Sequence, residues 1–330
     1  EGISKVSSNN NLSQSEMSAI MSDVLNGRST DAQIGAFLIA LSMKGETVDE
    51  VLGAAHAMRN LSAKVITDTP KLIDTCGTGG TGIRIFNVST TSAFVASYCG
   101  ARVAKHGNRT ATRKSGSADF LEEAGVSLSL KPEEIAQCIE EVGIGFMFAP
   151  SHHSAMKHVI GPRKEIGQKS IFNILGPLTN PASAKRQLMG VYDKKWMLPI
   201  AQVLKELGSE HLLIVHSEDG LDEISIAAPT SVVEMKKGTI TEFQICPEDF
   251  GFETSSLGGL EANSPEQSLQ IANLALRGEH KAASATLQKA QPCFHTSKKA
   301  ISKCHKQATN ELHSIVQATN ACTDRYGTPR

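Results

Sequence analysis

The stretch Asp74-Thr-Cys-Gly-Thr-Gly-Gly-Thr-Gly82 follows the apolar run Lys71-Leu-Ile73 and leads through Ile83-Arg-Ile-Phe86 into Asn87-Val-Ser-Thr-Thr91. A strand that ends in a loop with four glycines, followed by hydroxyls at the start of a helix, brings backbone amides and a helix N-terminus up to phosphate oxygens. What is missing narrows the choice. Gly82 is followed by Ile83 and Arg84, so the lysine of a P-loop is absent. A dinucleotide fingerprint fits Gly77-x-Gly79-x-x-Gly82 only weakly, because the acidic ribose ligand expected about 20 residues on is replaced by the cationic Arg102-Val-Ala-Lys-His106. A ligand-free glycine turn is the competing reading, and the hydroxyls of Ser89, Thr90 and Thr91 favour phosphate over it.

Three further clusters sharpen the chemistry. The β-compatible Ala101-Arg-Val-Ala104 runs into a segment carrying Lys105, His106, Arg109, Arg113 and Lys114 among glycines and hydroxyls, which suits a strongly anionic ligand. The apolar strand His211–His216 is followed by a turn that delivers Asp222 and Glu223; adjacent carboxylates after a core strand suit a hard cation, Mg²⁺ sharing its shell with phosphate. A solvated acidic turn is the alternative, accepted for Asp219. Finally, Phe146-Met-Phe148 and Met156 stand near His152, His153 and His158, followed by Arg163. The aromatic and Met side chains suit a flat organic pocket, and Arg163 suits a carboxylate held by a bidentate fork. Zinc at the histidines is a minor reading, since no Cys or Glu lies at ligand spacing and no HExxH is present.

The coarse pattern is α/β. Ser13-Gln-Ser-Glu16 has capping-box form before Met17, Ile20, Met21, Val24 and Leu25, one apolar helix face, and further helices are expected from about Asp31 and Thr47. From Lys71 onward short strands at Leu72-Ile73, Arg102–Ala104, Gly145–Phe148 and His211–His216 alternate with helices from about Lys131 and Pro199, and Val232–Met235 against Thr239–Phe243 reads as a hairpin. The expected fold is a small N-terminal helical domain plus a larger α/β domain with a mostly parallel central sheet. The expected division is 1–68 helical, with 170–190 returning to it, and 69–169 with 191–330 as the α/β body.

Composition fits a globular α/β chain. The chain has 330 residues, 40% of them hydrophobic, and a formal net charge of -1, so nucleic acid receives no bulk electrostatic support. No apolar run approaches the ~18 residues of a membrane span, no leader of secretory form is visible, and seven cysteines without a CxxC pair suit a reducing compartment, so a cytoplasmic location is expected.

Taken in order, Gly77-Thr-Gly-Gly80, Asn87-Val-Ser-Thr90, Lys105-His-Gly-Asn-Arg109, Ser115-Gly-Ser-Ala-Asp119 and Ile171-Phe-Asn-Ile-Leu-Gly-Pro-Leu-Thr-Asn-Pro181 resemble the anthranilate phosphoribosyltransferases of tryptophan biosynthesis, over roughly residues 10 to 280. The resemblance implies transfer of phosphoribosyl from 5-phosphoribosyl 1-pyrophosphate (PRPP) to the amine of anthranilate, dependent on Mg²⁺. It implies a PRPP site of Gly77, Thr78, Gly79, Gly80, Thr81, Asn87, Ser89, Thr90, Lys105, Arg109 and Ser117, with Arg109 either a loop stabiliser or a phosphate donor. Gly77, His106, Asn108, His153 and Arg163 are implied around anthranilate, and Ser89, Asp222 and Glu223 around metal. Lys105, Asn108 and Arg163 are the implied catalytic residues. It also implies a homodimer through the helical layer, for which the face Met17, Ile20, Met21 and Val24 is the candidate surface. Related pyrimidine nucleoside phosphorylases, and nucleic-acid-binding relatives without catalysis, are the alternatives.

The chain departs from the family pattern at Thr81, where aspartate is usual, at Arg113, where serine is usual, and at Lys169, where arginine is usual. The segment from His280 to Arg330 also departs: it is rich in Lys, Gln, Ser, Thr and His, with Glu311 and Asp324 its only acids, and Ala282 to Ala290 within it reads as helical.

Overall fold

The computed structural model describes residues 1–109 and 115–290. Arg113 and Lys114, and the segment after Ala290, lie outside the described residues. Four helices come first: α1 (Gly2–Ser7), α2 (Gln14–Leu25), α3 (Asp31–Lys44) and α4 (Val48–Leu61). Then β1 (Ile73–Gly77), α5 (Val88–Tyr98), β2 (Val103–Gly107), α6 (Ser117–Glu123), α7 (Pro132–Glu141) and β3 (Ile144–Phe148) follow. The chain continues through α8 (Ala149–His152), α9 (Lys157–Ile166), α10 (Phe172–Leu175), β4 (Arg186–Gly190), α11 (Met197–Glu206) and β5 (His211–Ser217). It closes with the hairpin β6 (Thr230–Lys236) and β7 (Thr239–Ile245), then α12 (Pro265–Arg277) and α13 (Ala282–Ala290).

Three of the first four helices start by the same device. Ser13 with Glu16, Thr30 with Gln33 and Thr47 with Glu50 each form a reciprocal capping box, satisfying two amides that would otherwise lack partners. The short α1 has no such signal in the sequence and is not foreseen by it.

The sheet order is β3-β2-β1-β4-β5-β6-β7. The first five strands are parallel and β6 runs antiparallel to both β5 and β7, a helical layer plus an α/β body with a mostly parallel sheet. Strand β1 is central, and Asp74, Thr75 and Cys76 are all buried, as a strand covered on both faces requires. The strand therefore runs through residues that the sequence pattern assigns to the opening of the loop. Its neighbours β2 and β4 leave in opposite directions across the sheet, so a crevice opens at their carboxy ends, the usual ligand position in such sheets.

Residues 170–190, expected to return to the helical layer, divide. Phe172, Ile174, Leu175 and Leu178 share one hydrophobic core with Met17, Leu41, Val51 and Met58 of the helices, whereas 186–190 is strand β4 between β1 and β5. That same core continues into the sheet through Cys76, Met189, Leu212 and Ile214, and the opposite face is covered by α5, α6, α12 and α13. The helix face offered as a dimer surface is corrected by the same packing. Met17, Met21 and Val24 are buried within the chain, largely between α2 and α4, and Ile20 packs against Gly2 of α1.

One ion pair anchors the helical layer. Glu50 is fully buried and accepts from the Leu12 amide at 2.9 Å, the Thr47 amide at 2.8 Å and Lys44 Nζ at 2.9 Å. Lys44 is itself only 3% exposed, so losing its partner leaves a buried charge. Glu50→Ala is expected to destabilise the protein by about 3–5 kcal/mol, measured by denaturant melts, where an exposed pair changes stability by about 1 kcal/mol or less.

Candidate active site

The glycine loop begins where β1 ends and is tied to β4. The Thr78 amide donates to the Gly190 carbonyl at 2.9 Å, and the Tyr192 amide donates back to the Thr78 hydroxyl at 2.9 Å. Gly79, Gly80 and Gly82 have φ of 63°, 81° and 77°, a conformation that side-chain-bearing residues rarely adopt. The far end of the loop is held by a bridge from Ile85 to Glu261 and by the Phe86 amide on the Leu260 carbonyl at 2.9 Å. Thr81 sits half-buried within this loop.

Asn87 caps α5, its side chain accepting from the Thr90 amide at 2.9 Å, and its Nδ2 lies 3.4 Å from Ser117 Oγ at the start of α6. Two residues of the expected sugar-phosphate site, far apart in sequence, are thus brought together. Thr90 is fully buried, and its hydroxyl has no hydrogen-bond partner among the described residues.

The expected cradle of four amides is smaller than the sequence suggests. Gly77 belongs to the sheet, paired with Gly190, and the Thr78 amide is committed to β4. The Gly79 amide donates to Asp222 Oδ2 at 3.0 Å. Asp222 reaches the loop because its backbone lies against Gly190: a Cβ at that glycine would sit 1.6 Å from the Asp222 carbonyl oxygen. Gly190, unremarked in the sequence, is thus required by this close approach of two backbones.

The neighbouring carboxylate, Glu223, is also buried. Ser89 donates its hydroxyl to Glu223 Oε1 at 2.7 Å, while Lys289 Nζ lies 2.8 Å from Ser89 Oγ and is ion-paired with Glu223 Oε2. The hydroxyl and two carboxylates are hard oxygen donors, the chemistry Mg²⁺ takes when water and substrate phosphate complete its shell. Their types fit that ion, with Lys289 seated against Ser89 and Glu223.

The cationic residues lie differently from expectation. Lys105 and His106 belong to strand β2 rather than to a loop. Lys105 is 1% exposed and donates to the Thr75 carbonyl, so it meets a phosphate only by leaving that contact. Burial lowers its pKa and the nearby Asp74 opposes this; burial likewise raises that of Asp74, opposed by Lys105. Arg109, offered as a phosphate donor, instead holds Glu122 through a fork at 2.6 and 2.8 Å and Asp119 at 3.0 Å. The two carboxylates raise its pKa. Asn108 is exposed and accepts from the Arg109 amide at 2.7 Å. Lys169, which the sequence marks only as a departure from arginine, places its ammonium 3.6 Å from the Tyr192 ring centroid, against the turn at Gly80.

The residues expected around an organic ligand are brought together by a segment that enters the sequence reading only through resemblance. The His106 and His153 rings are 5.1 Å apart, tilted by 55°, and lie against the backbones of Gly176 and Thr179. Arg163 is half-buried over Phe172 at 5.2 Å, so residues 172–179 connect it with the histidine pair. Burial lowers the Arg163 pKa. Met147, expected to line this pocket, packs in the core with Ile135 and Ile139, and Met156 packs against the helical layer. His152 Nδ1 donates to the Ala63 carbonyl at 2.9 Å, and His158 lies against Gly27. Among the described residues no group of three His, Cys, Asp or Glu side chains is arranged to hold a metal, so the histidines form no zinc site there.

Missed from sequence is the network that fixes these strands. Asp74 is fully buried and accepts from Asn180 Nδ2 at 2.8 Å, the His106 amide at 3.3 Å and Gln187 Nε2 at 3.4 Å. The only sequence signal for it is a charged residue inside a strand-like run.

A helical bundle on an α/β sheet, with a glycine loop, a helix N-terminus and paired carboxylates at one sheet edge, defines a glycosyl-transferring enzyme of the phosphoribosyltransferase type. Profiles described as "Glycosyl transferase family, helical bundle domain" and "Glycosyl transferase family, a/b domain" match residues 1–62 and 69–322. The chain is 56% identical over 276 residues to an anthranilate phosphoribosyltransferase of Ectopseudomonas mendocina (strain ymp), covering 84% of this chain and 79% of the relative. It is 56% identical over 281 residues to one of Marinomonas sp. (strain MWYL1), covering 85% and 81%. The crystal structure of anthranilate phosphoribosyltransferase from Thermus thermophilus superposes with a TM-score of 0.88 at 35% identity, covering 97% of this chain and 98% of that one. The Saccharomyces cerevisiae enzyme in complex with PRPP and Mg superposes with a TM-score of 0.87 at 25% identity, covering 97% of each chain. The chain belongs to the anthranilate phosphoribosyltransferase family.

Burial, and then repulsion by neighbouring histidines, lower the pKa of His106 from 6.5 to about 3 and that of His153 to about 4. Both are neutral at pH 7. Below pH 6.5 the unfolded chain binds protons that the folded one refuses, so this contribution is absent above pH 6.5 and destabilises progressively down to about pH 3. At pH 5 the loss is about 2 kcal/mol per histidine, and His106→Asn is expected to flatten the fall in stability between pH 7 and 5, followed by denaturant melts.

Proposed function

We propose that the carboxy edge around β1 and β4 carries the family's reaction through the residues gathered there. The nitrogen of anthranilate forms a bond to C1 of PRPP, the bond from C1 to pyrophosphate oxygen breaks, and the amine gives up a proton. The observation that supports this most is the convergence of the glycine loop, the capped start of α5 and the Ser89, Asp222 and Glu223 oxygens at one switch point of the sheet.

An aromatic amine is a weak nucleophile, so the barrier falls chiefly by easing departure of pyrophosphate and by holding the amine close. Gly79 and Gly80 offer amides to pyrophosphate, Gly79 once Asp222 turns to metal, and Lys169 adds charge beside Gly80. Asn87 and Ser117 take the sugar-phosphate end, and Lys105 supplies an ammonium from beneath. Mg²⁺ held by Asp222, Glu223 and Ser89 neutralises charge on the leaving group when bound. Arg163 holds the anthranilate carboxylate, with His106, His153 and Asn108 around the ring and amine. Because both histidines are neutral, neither adds a cation that would draw the carboxylate away from Arg163.

The division at 1–68 and 69 onward, the homodimer and a cytoplasmic location belong to the same proposal. Among the described residues no helix is long and apolar enough to cross a membrane, and Cys76 and Cys246 are free thiols. Light scattering at micromolar concentration is expected to give twice the mass of a 35.2 kDa chain. Since Met17, Met21 and Val24 are buried internally, such a contact uses another surface of the helical layer.

The reaction is tested by loss of anthranilate fluorescence with PRPP and Mg²⁺. No loss with both substrates present, but phosphorolysis of a nucleoside, would favour the phosphorylase relatives. Arg163→Ala is expected to raise KM for anthranilate about tenfold or more, the size of a lost charged hydrogen bond, with KM for PRPP unchanged. The reverse pattern puts Arg163 on the other substrate.

A further inference from the structure

One buried cation takes no part in the substrate contacts above. Lys289, near the end of α13, is fully buried, and its ammonium rests between Ser89 Oγ, at 2.8 Å, and the Glu223 carboxylate. Glu223's other oxygen accepts from Ser89 at 2.7 Å, so the three groups close on one another and neither carboxylate oxygen is left over. The helix is held in place: α13 packs along α5 and α12, and Ser92 of α5 donates to the Thr286 carbonyl at 3.1 Å. The lysine stem is thereby aimed at the site by a packed element rather than by a surface loop.

We propose that Lys289 is a tethered cation that occupies the Ser89–Glu223 position in place of a divalent metal ion. This rests on the reading of Ser89 and Glu223 as metal ligands. An ammonium in that position offers the charge that a hard cation would bring, and takes the same two oxygen donors. A divalent ion added beside it meets a like charge a few ångströms away in a poorly solvated site, where repulsion is several times stronger than in water. Lys105 lies close enough to sense the charges of both Lys289 and Glu223, which adds a second ammonium to the same neighbourhood. Glu223 therefore takes up metal only after Lys289 withdraws, whereas Asp222 accepts from the Gly79 amide of the glycine loop. The chain in its resting state binds divalent ions more weakly than its oxygen donors alone imply.

The experiment is direct titration of Mn²⁺ into the full chain without substrates, with free Mn²⁺ read by electron paramagnetic resonance. Lys289→Gln removes the charge and Lys289→Met also keeps the apolar stem. Both are expected to bind Mn²⁺ about tenfold tighter or more than the unaltered chain, a gain of about 1.4 kcal/mol. Adding Glu223→Gln to either is expected to abolish the gain. Unchanged affinity in the Lys289 variants, together with weaker binding in Glu223→Gln alone, overturns the tethered cation while leaving the metal ligands intact. Unchanged affinity in every variant removes both. Removing the lysine leaves Glu223 buried without its ion pair, so each variant is also melted with and without Mn²⁺. A variant that loses its cooperative melt and regains it with Mn²⁺, but not with Na⁺ at equal ionic strength, supports the proposal; one that regains it with neither ion counts against it.

Discussion

The architecture of the site depends on one buried carboxylate. Asp74 lies in the central strand, where an unpaired charge costs several kcal/mol, and it is tolerated because donors arrive from three directions. Asn180 comes from the turn before β4, Gln187 from β4 itself, and the His106 amide from β2. Asn180 also donates to the Ala104 carbonyl at 2.9 Å, and Gln187 to the Pro177 carbonyl at 2.8 Å. The result fixes β2, β1 and β4 side by side and locks the 172–180 segment over them. Both halves of the site follow, since the glycine loop leaves β1 while Gly176 and Thr179 sit against the histidine pair.

Close backbone approach then converts this frame into a site. Gly190 lets the Asp222 backbone descend onto β4, and Thr78 binds the Gly190 carbonyl from the other side. The loop after β5 and the loop after β1 are therefore registered through one residue without a side chain. Any Cβ there displaces the carboxylate loop from the glycine loop, and with it the relation between anion-binding amides and cation-binding oxygens.

Much of this is legible in the sequence, for reasons that can be stated. Capping boxes, the Lys237-Gly238 hairpin turn and the glycine loop are local signals: each depends on residues within a few positions of one another. Strand β5 is legible because a buried parallel strand is a continuous apolar run. Strand β4 is not, because Arg186-Gln-Leu-Met-Gly190 offers only two large apolar residues and its Gln187 is buried through hydrogen bonds rather than hydrophobicity. The direction of Lys105 cannot be read either, since being in a strand or a loop decides whether its ammonium faces a carbonyl or solvent. The apolar face of α2 is visible as a face, but nothing in the pattern distinguishes a partner helix of the same chain from one of another.

Four charged groups of the described site already hold partners within the chain, and this shapes what binding must do. Asp222 holds a loop amide, Glu223 holds a lysine, Arg109 holds two acids, and Lys105 holds a carbonyl. A ligand carrying several negative charges cannot simply add to such an arrangement; it must exchange for contacts already made. Each exchange replaces one charged hydrogen bond by another, so net affinity is smaller than a count of contacts suggests. A ligand with a single phosphate exchanges for fewer of these contacts and leaves the rest of the network as it stands. A ligand that brings both signs of charge at once matches a site in which acids and cations are already paired with groups of the chain.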